Sequence, residues 1–248
     1  MNAKNLLTLL IAIAVTASAM SMMIPANERA KEVSQAPDHS PVIDEDWNLE
    51  RVDFIHYAKP PNPGKPGKTD SCYKLMGVKW KTTSVNYTIN PTNPQGLTPE
   101  SVANTLSTSA ETWDAATSAE LFNNAYAIDY NAQYGVQDYK NSIAFGDYPD
   151  DNVIAITSVW YTPRGKQIVE FDMLLNTRYT WGDAISNPAL MDLQNIATHE
   201  FGHSAGLDDI YSTTCNAVTM YGYGKEGETQ KRTLKQPDKT GLQQMYGA

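Results

Sequence analysis

The run HEFGHSAGLDD, which begins at His199, constrains this chain more than any other segment. His199 and His203 are two of only four histidines and lie four residues apart, so their imidazoles share one face of a helix. Gly206 favours a helix end and a sharp turn, after which Asp209 can return to the same point. Two imidazoles and one carboxylate form a zinc site with a free fourth position for water, and Glu200 stands beside it as a general base.

The third ligand has two candidates. Asp209 lies six positions after His203, whereas the spacing of Asp208 is one residue short. We favour Asp209.

The periodicity of apolar residues predicts the other elements. Thr98 as N-cap and Pro99 at the first helical position begin an amphipathic helix. The predicted strands are 84–90, 141–147, 153–161 and 167–175, and the predicted helices are 98–118, 187–206 and 238–247. We therefore expect an α/β (α+β) fold with one twisted mixed sheet.

Composition and charge limit the partners. The chain has 248 residues, 41% of them hydrophobic, which is enough for a packed core. Its net charge of -9 argues against binding to nucleic acid or to an anionic membrane surface, because both require a basic face. We expect a monomer.

The N-terminal residues predict a secretory signal peptide over 1–19. Lys4 precedes an apolar run from Leu6 to Val15, and small residues up to Ala19 follow. The run is short for a membrane span, although an uncleaved N-terminal anchor remains the alternative. We expect a secreted, extracellular protein.

Residues 20–71 are rich in proline and charge and do not resemble a core. Residues 59–68 form a stiff, extended linker. The apolar patch at 47–57 is either a pro-segment or a strand that docks on the domain. We place the catalytic domain at 72–248.

HEFGHSAGLDD resembles the extended zinc motif of the metzincin metallopeptidases, with Asp209 in the last position as in the snapalysins. TMYGYG resembles the Met-turn of that clan, with Met220 as its methionine. Three further segments are similar to the matrixin subfamily: 77–90 to its opening strand, 111–122 to its first helix and 234–247 to its C-terminal helix. The resemblance covers residues 72–247.

The resemblance implies a metzincin-like zincin with an active-site helix, a Met-turn and a C-terminal helix. It also implies a secreted zinc endopeptidase that hydrolyses peptide bonds through a zinc-bound water, with Glu200 as the base. A protein or peptide substrate would then bind as an extended strand along 153–161, beside a specificity pocket walled by the loop 221–236. The alternatives are a non-catalytic zinc-containing binding protein on the same scaffold and a zinc hydrolase of small amides.

The sequence also departs from the vertebrate matrixins. No further histidine cluster exists for a second zinc ion, and we treat His39 and His56 as ordinary polar residues. No cysteine-switch motif surrounds Cys72. Outside the cell, Cys72 and Cys215 are expected to form a disulfide, and the alternative is a thiolate that acts as a removable zinc ligand.

Two weaker expectations remain. Asp147, Asp150 and Asp151 cluster in a turn that either binds calcium or is simply solvated. Gly222 occupies the position where some metzincins carry a tyrosine ligand, so we expect Tyr221 and Tyr223 to be packing residues.

Overall fold

A computed structural model describes residues 42–44, 49–58 and 71–248 of the chain. Its strands are β1 (Val42–Asp44), β2 (Leu49–Tyr57), β3 (Thr88–Asn90), β4 (Ala127–Ile128), β5 (Ser142–Gly146), β6 (Val153–Thr162), β7 (Gln167–Asn176), β8 (Trp181–Gly182) and β9 (Met191–Asp192). Its α-helices are α1 (Pro99–Asp114), α2 (Leu193–Ser204) and α3 (Gln236–Tyr246), and short 3-10 helices span Thr213–Cys215 and Gln230–Arg232. The signal-peptide segment, His39 and the predicted linker 59–68 lie outside the described residues.

Seven strands form one mixed sheet, in the order β1-β2-β6-β7-β5-β3-β4. The pairs from β1 to β7 are antiparallel, whereas β7, β5, β3 and β4 run parallel to one another. Strands β8 and β9 form a separate parallel pair. The expected α/β fold with a mixed sheet is therefore confirmed.

Strand β6 is an inner strand of this sheet, because β2 pairs with it from Glu50 opposite Tyr161 to Tyr57 opposite Val153. The sequence left two possibilities for the apolar patch that contains β2, and the structure shows the docked strand. The expectation that 153–161 presents an exposed edge to a substrate does not hold for this form of the chain. Without β2, the backbone N–H and C=O groups along one side of β6 would be unpaired and could bind another strand.

Aromatic side chains pack α2 against the sheet and against α1. Phe201 of α2 contacts Phe122 and Phe171 edge-to-face, at centroid distances of 5.1 and 6.1 Å. Trp113 of α1 donates its indole N–H to the backbone carbonyl of Thr198 at 2.7 Å. The helix that carries both histidines of the motif is thus held on two sides by rigid, buried groups.

Helix α2 begins at Leu193, so the predicted start near residue 187 is wrong. The side chain of Asp192 accepts a hydrogen bond from the backbone N–H of Asn195 at 2.8 Å and caps the helix there. The preceding residues form a turn in which Leu190 N–H donates to Asn187 O. The Asn-Pro pair begins that turn, and the stronger aspartate cap sets the helix start.

Other boundaries also differ from the sequence prediction. Helix α1 ends at Asp114, before the predicted 118, because the Asp114 carboxylate accepts hydrogen bonds from the amides of Leu121 and Phe122 and fixes a turn there. Strand β3 is confined to 88–90, and the first part of the predicted strand contributes only an isolated bridge between Val85 and Phe122.

Cys72 and Cys215 form a disulfide with a Cα–Cα distance of 5.4 Å. The alternative of a free thiolate that binds zinc therefore does not apply to this structure. In the described residues, the structure contains no helix with both the length and the apolar character needed to span a bilayer.

Candidate metal centre

Helix α2 and the loop after it bring three predicted site residues together. His199 Nε2 and His203 Nε2 lie 3.0 Å apart. Asp209 Oδ1 lies 3.2 Å from His199 Nε2 and 3.5 Å from His203 Nε2. All three residues are buried, so their polar atoms converge on one small, water-poor point.

The spacing of these atoms fits a tetrahedral metal shell. Zinc–nitrogen and zinc–oxygen distances of about 2.0–2.1 Å place neighbouring ligand atoms about 3.3 Å apart. The three observed separations bracket that value. Two imidazole nitrogens and a carboxylate oxygen that converge at this distance are a donor set that suits a divalent metal.

Backbone and side-chain groups behind the ligand atoms fix their orientation. His199 Nδ1 lies 2.7 Å from Thr219 O, and His203 Nδ1 lies 2.9 Å from Leu207 O. With both Nδ1 atoms as donors, imidazoles in the neutral form that a cation requires would aim unprotonated Nε2 atoms at the common point. Tyr211 OH donates to Asp209 Oδ2 at 2.8 Å, which leaves Oδ1 facing the histidines. Sequence reasoning did not identify Tyr211.

Asp208 points away from this point. Its Oδ2 forms an ion pair with Lys74 at 2.5 Å, and its Oδ1 accepts the backbone N–H of Asp209 at 2.7 Å. The structure therefore places Asp209, and not Asp208, with the two histidines.

The turn that returns Asp209 depends on Gly206. Its φ of +104° is a left-handed conformation that side chains disfavour, and an added Cβ would lie 2.6 Å from Val78 O. Trp80 donates its indole N–H to Ser204 O at 2.8 Å, which satisfies a carbonyl at the end of α2.

Glu200 is fully buried and lies beside this centre. Thr157 of β6 donates its hydroxyl to Glu200 Oε2 at 2.5 Å. Burial raises the pKa of Glu200 to about 7, although the charge on His203 and the hydrogen bond from Thr157 act in the opposite direction. A carboxyl group that titrates near neutral pH is suited to taking up and releasing a proton.

Burial and the Asp209 carboxylate act differently on the pKa values of the two histidines. Burial lowers the pKa of His199 to about 4. Burial also lowers that of His203, but the nearby Asp209 carboxylate outweighs it and raises the pKa to about 9. The proton on His203 would have to leave before a cation could bind, so metal affinity should fall at acid pH.

Two residues of β2 also contact the centre. His56 Nδ1 lies 3.2 Å from Glu200 Oε1, and its ring packs edge-on against His199 at 4.0 Å. Phe54 stacks on His203 with ring centroids 4.1 Å apart. The sequence favoured an ordinary polar residue over a metal ligand at position 56, and the structure places its ring in contact with Glu200 and His199. The signal was present in the sequence, because Val52, Phe54 and His56 alternate on one face of a strand.

Residues 79–247, more than half of the chain, match the sequence model of the peptidase family described as Matrixin. The chain belongs to the matrixin family. Matrixins are zinc metalloendopeptidases, so membership places this chain in that enzyme class and implies dependence on zinc.

Curated relatives of this matrixin agree with the family. The mouse protein named matrix metalloproteinase-25 is 28% identical over 71% of this chain, and its human counterpart is 27% identical over 71%. Human neutrophil collagenase is 27% identical over 81% of this chain. The matched segments cover 28%, 31% and 39% of those relatives, so this chain spans well under half of their length.

Met220, the predicted Met-turn residue of this matrixin, is buried beneath α2. A Cβ added at Gly202 would lie 2.2 Å from Met220 Sδ, so only glycine allows this approach. Asp238 of α3 accepts hydrogen bonds from the amides of Thr219 and Met220 at 2.9 and 3.2 Å. The C-terminal helix therefore fixes the turn whose carbonyl faces His199.

The turn that contains Asp147, Asp150 and Asp151 interacts with Arg178 and Asn152. Arg178 forms ion pairs with Asp147, at 2.9 Å, and with Asp151. Asp150 accepts hydrogen bonds from the backbone and side chain of Asn152. Calcium at this turn stays a prediction.

Proposed function

We propose that this matrixin is a secreted zinc endopeptidase in which His199, His203 and Asp209 hold the ion and Glu200 is the general base. One observation carries the assignment. Two Nε2 atoms and one carboxylate oxygen lie 3.0–3.5 Å apart, each oriented by a hydrogen bond to the atom behind it. Family membership implies the metal, and this geometry supports the choice of residues.

Zinc, when bound, would supply a Lewis acid that polarises the scissile carbonyl and acidifies a water molecule. Glu200 would take the proton of the attacking water and transfer it to the leaving amine. Thr157 holds Oε2 of this carboxylate, so Oε1 is the atom that exchanges the proton. Burial raises the pKa of Glu200, which favours its uptake of the proton from water.

The Asp209 carboxylate lowers the net charge of the centre by one unit relative to three neutral histidines. Tyr211 draws electron density from Asp209 through its hydrogen bond to Oδ2. Burial raises the pKa of Tyr211 well above its ordinary value, so the phenol stays protonated and continues to donate. Tyr211 would therefore restore part of the Lewis acidity that the carboxylate removes.

The substrate would be a protein or peptide bound in an extended conformation along β6. Strand addition of this kind uses backbone hydrogen bonds for affinity and side-chain pockets for specificity. Secretion is supported by the sequence of residues 1–19 and by the Cys72–Cys215 disulfide, since disulfides persist in oxidising compartments.

Purified full-length chain tests this function. Zinc should be present at one ion per chain, and hydrolysis of a protein substrate should stop with a chelator and return with zinc. Glu200→Gln should retain zinc and lose at least about 100-fold in kcat. A Glu200→Gln protein as active as wild type would refute the role of the base. Bound zinc without hydrolysis, both in the wild type and in a chain from which β2 has been removed by cleavage, would favour a binding protein.

A further inference from the structure

Strand β2 is hydrogen-bonded on both of its sides. Along one side it pairs antiparallel with β6. On the other side Gly224 N–H donates to Tyr57 O at 2.9 Å, and Tyr57 forms a parallel bridge with Tyr223. A peptide bound by strand addition between β6 and the loop after Met220 would make the same two sets of contacts.

The buried face of β2 covers the metal centre. Val52, Phe54 and His56 are buried, whereas the residues between them are only partly buried. Phe54 stacks on His203, and the His56 ring contacts His199. The space in front of both histidines is therefore filled by side chains of the chain itself.

Both carboxylate oxygens of Glu200 are occupied in this form. Thr157 donates to Oε2, and His56 Nδ1 lies at hydrogen-bond distance from Oε1. Oε1 is the atom that would accept a proton from water. With His56 in this position, a water molecule must compete with the imidazole for Oε1.

His56 sits in a fitted slot between the sheet and α2. A Cβ added at Gly224 would lie 2.9 Å from His56 Nε2, 3.2 Å from Ile154 and 3.3 Å from Ile196, so the slot requires a residue without a side chain at 224. Among the described protein groups, His56 Nε2 has no hydrogen-bond partner. Burying a polar atom in this way costs free energy, which favours an occupant that can leave.

Specific side-chain contacts outside the slot hold β2 in one register. Ser158 donates to Asp53 at 2.6 Å, and Tyr161 donates to Glu50 at 2.6 Å. The Arg51 guanidinium lies 5.1 Å from the centre of the Trp160 ring. A shift by one residue would break these contacts and turn His56 away from Glu200.

Strand β2 lies outside the region that matches the family, which begins at residue 79. Without β2, strand β6 would be an outer strand of the sheet. Cys72 and its disulfide lie on the domain side of the segment that follows β2. Cleavage of that segment would separate β2 from a domain that keeps its disulfide.

We propose that residues 49–57 are an internal ligand of the substrate cleft that lowers the hydrolytic activity of the full-length chain, with His56 engaging the catalytic base. The inference rests on the proposed function of the metal centre.

The test uses full-length chains with Phe54→Ala or His56→Ala. Hydrolysis of a generic fluorogenic protein substrate should rise at least tenfold over wild type in both variants. In a Glu200→Gln background, which prevents turnover, a fluorescein-labelled peptide of residues 49–58 should bind each variant at least tenfold more tightly than the chain with intact β2, measured by anisotropy.

Two matched variants control for unspecific effects. Glu100→Gln changes an exposed side chain at the start of α1 and no contact of β2, so hydrolysis and peptide binding should match wild type. Val85→Ala removes a buried contact elsewhere in the core, so it should lower stability without raising hydrolysis.

A further test variant leaves the sequence of β2 unchanged, so it avoids any folding defect in that strand. It carries a site for a sequence-specific protease inserted after Gly64. After cleavage and gel filtration, hydrolysis should rise at least tenfold, and added peptide 49–58 should suppress it again.

If hydrolysis and peptide binding are the same in the wild type, in the two alanine variants and in the cleaved chain, β2 is not an internal ligand. That result would not contradict the proposed peptidase activity. Tighter peptide binding after weakening of β2, without hydrolysis in any form, would support the internal ligand and overturn the proposed peptidase.

Discussion

The carboxylate of Asp238 accepts a hydrogen bond from the backbone N–H of Thr219 at 2.9 Å. The carbonyl of Thr219 lies 2.7 Å from His199 Nδ1. The first turn of the C-terminal helix is therefore linked to the metal centre by two hydrogen bonds through a single residue.

Replacing Asp238 by alanine should loosen this link. We expect the free energy of unfolding to fall by about 1–3 kcal/mol, because two buried amides lose their acceptor. Zinc affinity should fall by about tenfold, because the orientation of His199 is less well fixed. Urea unfolding and competition with a chromophoric chelator measure both. Lys239→Ala, on the same helix, should change neither, and equal effects in the two variants would contradict the link.

Tyr211→Phe tests the orientation of Asp209. Loss of the phenol should lower zinc affinity by about 10-fold, because outer hydrogen bonds of metal ligands contribute at this level. Asp209→Asn should have a larger effect, because a charged ligand is lost. Chelator competition measures both, with the exposed Tyr130→Phe as control. Unchanged affinity in Asp209→Asn would show that the ligand set is wrong.

The disulfide should stabilise the domain without taking part in catalysis. Cys72 and Cys215 are 143 residues apart, and loop-entropy arguments give about 5 kcal/mol as an upper value for a loop of that length. Cys72→Ser with Cys215→Ser should therefore lower the urea midpoint, while kcat of the folded fraction stays the same. A loss of kcat in fully folded protein would instead place the disulfide in the active machinery.

Stability should depend on pH through Asp172. Burial raises its pKa from 3.8 to about 7, against the opposing hydrogen bonds from the amides of Gly135 and Ser142. The native state then binds more protons than the unfolded state, so the stabilisation is complete below about pH 4 and is lost as pH rises towards 7.

Asp172→Asn replaces the titrating carboxyl group with an amide that does not titrate. Between pH 4 and 7 the free energy of unfolding of wild type, minus that of the variant, should fall with a slope of at most about 1.4 kcal/mol per pH unit. Urea unfolding at several pH values gives this difference. Effects of metal loss cancel in it, because they are the same in both proteins. A difference that is flat or rises with pH would contradict the raised pKa.

The metal centre could be predicted from the sequence because its residues are close together in the chain. Helical spacing fixes the relation of His199 to His203, and a glycine turn leaves few places for the third ligand. The start of α2 was missed because two local signals compete, and the cap by Asp192 prevailed over the Asn-Pro pair at residue 187.

The contact of His56 with Glu200 could not be located in this way, because it joins residues 144 positions apart. Strand alternation indicates which face of β2 is buried, but it does not indicate which strand β2 will join. Tyr211 was missed for a related reason. Its hydroxyl meets Asp209 only because the backbone around Asp209 turns, and no residue pattern marks that turn.

Anomalous diffraction at the zinc edge, from crystals of the zinc-loaded chain, tests the central claim most directly. The account predicts one strong peak about 2.0–2.2 Å from His199 Nε2, His203 Nε2 and an oxygen of Asp209. A peak elsewhere, or an ion that Asp209 does not touch, would contradict it.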